Sequence, residues 1–266
     1  MTDKMTKILL RSGCVLGFLG VMTANSLANI LPINGYNTGE LSDLYPNLFV
    51  PAGLTFSIWG VIYLFLLLFT VYQTGLLSKL SVNEEARFTH ISGLFMISCA
   101  ANVGWILLWH YRQLLLSLFV MFVLLAVLGF IYVYTRSIEN SSWKTKIFLS
   151  APFSLYFGWI TVATIANMTA LLVDAGWSGW GVSEEIWTCA MIMVAALLTV
   201  LVQRAYKDLV FSGVVVWAVL GIVIRHQSTW SSQYPLVILF AYAGIAVVLA
   251  GCAWILFGSK IMRSRL

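Results

Sequence analysis

Charge is the scarcest feature of this sequence. Of its 266 residues only 9% are Asp, Glu, Lys or Arg, while 61% are hydrophobic. A soluble domain carries about 25% charged residues. A soluble enzyme is therefore excluded first, because there is too little charge to coat a water-facing surface. The same numbers exclude disorder. Ionisable groups are also missing from the middle of every long apolar run, where no Asp, Glu or Lys occurs. Ion-coupled transporters and proton pumps usually place such groups at the membrane midplane, so that class loses weight. No HExxH, GxSxG or Walker loop is present. Cysteine is sparse. Cys14, Cys99, Cys189 and Cys252 lie far apart inside apolar runs, and no CxxC occurs, so no disulfide framework is expected. Histidine is rarer still. His90, His110 and His226 fall near helix ends at different depths, which argues against haem ligation and for interfacial positions. No metal site and no required cofactor are expected.

What remains is an all-α, polytopic membrane bundle. A spanning helix needs ~20 apolar residues. Eight such runs occur, at roughly 8–31, 51–76, 90–109, 113–135, 147–173, 186–203, 209–225 and 235–257. In the first, the apolar run continues through Ile30 and Leu31, which favours a retained helix over a cleaved signal peptide. The interval 32–50, rich in Gly, Asn, Asp and Pro, reads as an extracytoplasmic loop. The interval 174–185 carries Trp177 and Trp180 and has room for a short interfacial helix.

The net charge of +5 follows membrane topology rather than a nucleic-acid groove. With the N-terminus inside, Lys4, Lys7, Arg11, Lys79, Arg87, Arg136, Lys144, Lys146, Arg204, Lys207, Lys260, Arg263 and Arg265 are cytoplasmic. Only Arg112 and Arg225 fall outside, so 13 of 15 cations share one side. An even number of helices with both termini cytoplasmic is expected, in the cell membrane and with lipid as the first partner. No nucleic-acid partner is expected.

Amides and aromatics concentrate in residues 25–167. Asn25 and Asn29 share one face of the first helix at i,i+4. Asn102 lies on the third helix and Asn167 on the fifth. A buried amide in hydrocarbon must find a partner, either another helix or a ligand. Phe56, Trp59 and Tyr63 form a stripe on the second helix. Trp105 and Trp109 share a face of the third, and Tyr156 and Trp159 lie on the fifth. Interfacial belts account for Trp109, Trp177, Trp180 and Trp230. They do not account for Trp159, near the centre of its span. At ~1.5 Å per residue, Trp59 lies ~12 Å below Pro51, and Asn25, Asn102 and Asn167 lie ~9–11 Å below the same outer edge. Four helices thus place polar and aromatic groups at similar depth, with small Ala163 leaving room. That is the layout of an aromatic pocket. Helices six to eight carry only single aromatics, such as Trp187, Trp217 and Trp254. They are expected to scaffold the bundle or an oligomer, and binding is expected to survive a chain ended after Gly181.

The run Pro51-Ala52-Gly53-Leu54-Thr55-Phe56-Ser57-Ile58-Trp59-Gly60-Val61-Ile62-Tyr63 resembles the PPGxxFxxxWxxxY start of helix two in the TspO/MBR family, the tryptophan-rich sensory or translocator proteins. Asn102-Val103-Gly104-Trp105 resembles that family's NxxW on helix three. Tyr156, Trp159, Ala163, Thr164 and Asn167 fall at the spacing of its YxxWxxxATxxN on helix five. The chain departs at Ala52 for the second Pro, at Leu54 for Trp, and by one residue fewer between Phe56 and Trp59. The resemblance covers about residues 1–176, and three further helices follow in 177–266. It implies a five-helix module binding planar hydrophobic ligands, tetrapyrroles such as protoporphyrin, or sterols in animal members. It also implies a pocket around Trp59, Asn102, Trp105, Trp159 and Ala163, and a lid in the 33–50 loop. Homodimers are common in that family, so a homodimer is a further expectation.

Four functions remain open from sequence. The leading one is a membrane protein that binds a tetrapyrrole-like ligand for sensing, sequestration or transfer. The second is a small-solute or lipid permease. The third is an enzyme acting on porphyrins with its tryptophans as redox or photochemical partners. The fourth is a structural subunit whose aromatics only pack.

Overall fold

The computed structural model describes residues 2–77, 79–138 and 142–258, with side chains from Lys4 onward. Lys260, Arg263 and Arg265 of the cation tally lie outside the described residues. Within them the chain is helical and has no strand. Eight helices are long and apolar enough to cross a membrane: Lys4–Ile30, Gly53–Gln73, Val82–His110, Leu114–Arg136, Trp143–Asp174, Glu184–Tyr206, Leu209–Ser228 and Pro235–Phe257. They coincide with the eight expected runs.

In chain order the α-helices are α1 (Thr2–Ile30), α2 (Thr38–Asp43), α3 (Ile58–Gln73), α4 (Val82–His110), α5 (Leu114–Arg136), α6 (Trp143–Thr145), α7 (Ala151–Asp174), α8 (Glu184–Tyr206), α9 (Leu209–Ser228) and α10 (Pro235–Ala253). A π-helical stretch, Lys146–Ser150, joins α6 to α7. A 3-10 turn, Gly53–Ser57, leads into α3. The short α2 lies inside the expected loop and carries no apolar period long enough to announce it. The 174–185 interval holds only a 3-10 turn, Gly179–Gly181.

The ends are set by local chemistry. Ser81 and Glu84 close a capping box at the start of α4, which pairs two otherwise orphaned donors. Ser183 caps α8, and Glu184 and Glu185 occupy its first turn, where the helix dipole favours acidic groups. Asp208 caps α9 by accepting from the backbone N–H groups of Val210 and Phe211. Lys207 ends α8 in the left-handed region at φ 51°, and Pro235 opens α10 where its missing N–H costs nothing.

The chain forms two compact units. The first comprises 1–41 and 58–160. In it α4 packs against α1 and α5, α1 against α3, and the π stretch against α3 and α5. Gly13 and Gly17, one turn apart on α1, let α4 approach closely. A Cβ on Gly13 would strike Met96, and one on Gly17 would come within 3.2 Å of Cys99 Cβ. This small-xxx-small pattern replaces the hydrophobic driving force that lipid does not supply. At one end of this unit Glu85 takes both Lys7 (3.3 Å) and Arg11 (2.6 Å). At the other, His110 faces the carbonyl of Ile33 at 3.1 Å.

The second unit comprises 42–57 and 161–266. Here α8, α9 and α10 pack pairwise, and the 3-10 turn 53–57 lies on α9. In both units the outward faces are apolar: Leu16, Phe119 and Phe130 in the first, Leu197, Leu239 and Trp254 in the second, all exposed. Such faces suit lipid, which needs no polar coat. The unit boundary falls within α7, and segment 42–57 clusters with residues far downstream in sequence.

Two of the three histidines depart from the interfacial expectation. His110 and His226 stand at helix ends as expected but are buried, at 1% and 0% exposure, because each meets a backbone carbonyl of the 32–50 loop. His90 is exposed and stacks on Tyr134 with ring centroids 4.3 Å apart.

Candidate ligand-binding site

In the first unit α3, α4 and α7 bring five aromatic side chains together. Trp59 is their centre. Its indole lies 5.3 Å from Tyr63 and 6.2 Å from Trp105, both stacked. It meets Tyr156 at 5.9 Å and Trp159 at 6.1 Å, both edge-on. These separations and tilts are those in which ring quadrupoles attract. Trp105, Tyr156 and Trp159 are buried, whereas Trp59 and Tyr63 are half-buried. The α3 side of the cluster therefore keeps ring surface uncovered by the chain.

A buried polar chain runs beside the rings. Asn25 Nδ2 donates to Asn102 Oδ1 at 2.8 Å, and Asn102 Nδ2 donates to the Tyr156 hydroxyl at 2.8 Å. Asn25 Nδ2 also donates to the Val21 carbonyl within its own helix. The chain ties α1 to α4 and α4 to α7. Both amides are thus engaged between helices, the first of the two roles open to them. The Tyr63 hydroxyl is buried beside this chain and lacks a hydrogen-bond partner of good geometry. It is a polar atom of the cluster with capacity to spare.

Of the other expected residues, Asn29 is exposed. Its side chain donates to the Asn25 carbonyl and accepts from the Thr38 N–H at 3.4 Å, so it serves the start of α2 rather than the rings. Phe56, Ala163 and Asn167 belong to the second unit. There Asn167 is buried, while Phe56 and Ala163 are half-buried.

Trp109 was not among the expected site residues. An interfacial belt position accounts for its sequence depth, yet it is 5% exposed and stacks on Trp105 at 6.1 Å. Its i+4 spacing from Trp105 carried that signal. Trp177 and Trp180 also do more than sit at an interface, since both meet Trp187, at 5.3 and 6.0 Å. Thr38 Oγ1 sits 3.2 Å from His110 Nε2, and Asn34 Nδ2 donates to the His110 carbonyl. This linkage of the loop's first half to α4 had no sequence motif. No three His, Cys, Asp or Glu side chains gather as a metal site among the described residues.

Eight helices long and apolar enough to cross a membrane, with apolar outward faces in both units, define an integral membrane protein. A family model described as TSPO-like protein matches residues 11–254, and the chain belongs to that family. The match runs through all eight helices, so it takes in the three C-terminal ones. No curated protein and no solved structure matches the chain.

Proposed function

We propose that this membrane protein binds a planar hydrophobic ligand of the tetrapyrrole class at the Trp59 cluster, for sensing, sequestration or transfer. One observation carries the reading: a half-buried indole, Trp59, is backed by four further rings. A flat ligand gains most from stacking on such a wall, and the spare Tyr63 hydroxyl offers it one hydrogen bond. The polar chain beside the rings holds Tyr156, and the ring contacts hold the others against Trp59, so less ordering is left to do on binding. The test is a titration of protoporphyrin IX into the purified full chain in lipid nanodiscs. A saturable quenching of tryptophan fluorescence together with a shifted porphyrin absorption band is expected. Purely linear quenching, as from partition into lipid, would overturn the reading. Flux of the same compound in proteoliposomes separates a carrier from a binding protein.

In the proposed orientation both termini are cytoplasmic. The two cations on the minority side are compatible with it, because each has a local reason to be there. Arg225 pairs with Asp43 at 2.9 Å, and Arg112 lies over the Tyr36 ring at 5.2 Å. Both still count against the positive-inside bias, but they are two against thirteen, and each is held by a contact of its own. Reporter fusions at Arg136 and at the C-terminus should read inside, and one after Asp174 outside. A C-terminal reporter reading outside would refute the orientation.

A further inference from the structure

Segment 42–57 is fastened to α8 and α9 in the second unit. Arg225 Nη2 pairs with Asp43 at 2.9 Å. The Leu48 N–H donates to Glu184 Oε1 at 2.6 Å, and the Leu48 carbonyl accepts from His226 Nε2 at 2.9 Å. A carbonyl only accepts, so Nε2 carries the proton in this contact. The Ala52 N–H donates to the Gly221 carbonyl at 2.9 Å, and Trp217 Nε1 donates to the Thr55 carbonyl at 3.0 Å. The approach at Gly221 is so close that a Cβ there would overlap the Thr55 side chain and come within 2.9 Å of Pro51 Cβ. Glycine is thus what lets the segment lie on α9. His226 is fully buried, and Trp217 is the only one of these side chains that reaches the 3-10 turn itself.

The fastened segment does not end in a free loop. The 3-10 turn Gly53–Ser57 continues without a break into α3, and Trp59 is the second residue of that helix. The Thr55 carbonyl held by Trp217 therefore lies one helical turn before Trp59. We propose that Trp217, Gly221 and His226 of α9 are positioning residues for the Trp59 cluster: by holding 42–57 they fix the first turn of α3, and so set the affinity of the cluster without touching its ligand. The C-terminal helices then do more than scaffold, and a chain ended after Gly181 loses these anchors and with them the affinity. The inference rests on the ligand-site reading of the cluster, and its test separates the two.

Four variants of the full chain serve. Trp217→Phe keeps a ring but removes the donor. Gly221→Ala drives a methyl into Thr55, and Thr55→Ala in the same chain withdraws the side-chain atoms it strikes. His226→Gln keeps an amide donor. Three quantities are read: hydrogen exchange of peptides spanning 42–60, the near-ultraviolet circular dichroism band that Trp59→Phe removes, and the affinity for protoporphyrin IX. Trp217→Phe is expected to speed exchange, alter the band and weaken affinity about fivefold, the scale of one lost hydrogen bond. Gly221→Ala should do more. Adding Thr55→Ala should recover most of that loss, and His226→Gln should stay near wild type. Faster exchange with an unchanged band and unchanged affinity overturns the proposal, as does unchanged exchange in both Trp217→Phe and Gly221→Ala. If the wild type binds no protoporphyrin but the band still changes in these variants, the ligand reading falls and the positioning role stands.

Discussion

Replacing Trp159 by alanine is expected to weaken protoporphyrin binding by about 1–3 kcal/mol, or roughly 5–150-fold. Trp159 is 3% exposed and meets Trp59 edge-on at 6.1 Å with an interplanar angle of 80°. It stands behind the half-buried indole rather than at the surface. Removing it deletes one wall of the cluster and lets Trp59 tip into the space, so the flat face offered to a ligand is lost. Trp159→Phe keeps an edge-on ring and should recover much of the affinity. Trp254→Ala is the control, because Trp254 is 70% exposed and no part of the cluster. Affinity is read by titration in nanodiscs, with helicity and elution profile confirming that each variant is folded. Equal affinity in Trp159→Ala and Trp254→Ala would place the ligand elsewhere.

The eight helices were legible because lipid imposes a simple rule: every backbone polar group is satisfied within the span, so each span appears as an apolar run. The ring cluster was legible for a related reason. Trp159 is too deep for an interfacial anchor, and the Trp59–Tyr63 and Tyr156–Trp159 spacings keep each pair on one helical face. Partner choice between helices was not legible. Asn25 and Asn102 lie 77 positions apart, and the sequence shows two amides in need of partners, not that they meet. Gly13 and Gly17 were among many scattered small residues until Met96 and Cys99 of α4 were found against them. The histidines follow the same logic. Their depth along the helix was readable, but burial depended on carbonyls of Ile33 and Leu48, contributed by a loop with no period of its own. The fastening of 42–57 was hidden most deeply, since it rests on side chains such as Trp217, whose isolation on α9 pointed to packing or a membrane anchor.

Asn102 offers the sharpest division between the two roles of a membrane amide. Its Oδ1 accepts from Asn25 and its Nδ2 donates to Tyr156, so Asn102→Leu removes two bonds between helices while roughly keeping volume. Hydrogen bonds between membrane helices average about 0.6 kcal/mol each. A buried hydroxyl left bare costs about 1–3 kcal/mol more. Tyr156 is 2% exposed, and its hydroxyl would be that bare group, whereas Asn25 retains the Val21 carbonyl. Asn102→Leu is therefore expected to destabilise the chain by about 2–4 kcal/mol, measured by thermal or denaturant unfolding in a fixed detergent. Adding Tyr156→Phe should return part of that loss, because no hydroxyl is then stranded. Asn25→Leu in the Asn102→Leu background should cost less than Asn25→Leu alone, since the shared bond has already gone. Additive losses would show that the two amides are not coupled. Loss of protoporphyrin binding in Asn102→Leu at unchanged stability would instead assign Asn102 to the ligand and overturn its role as a tie between α1, α4 and α7.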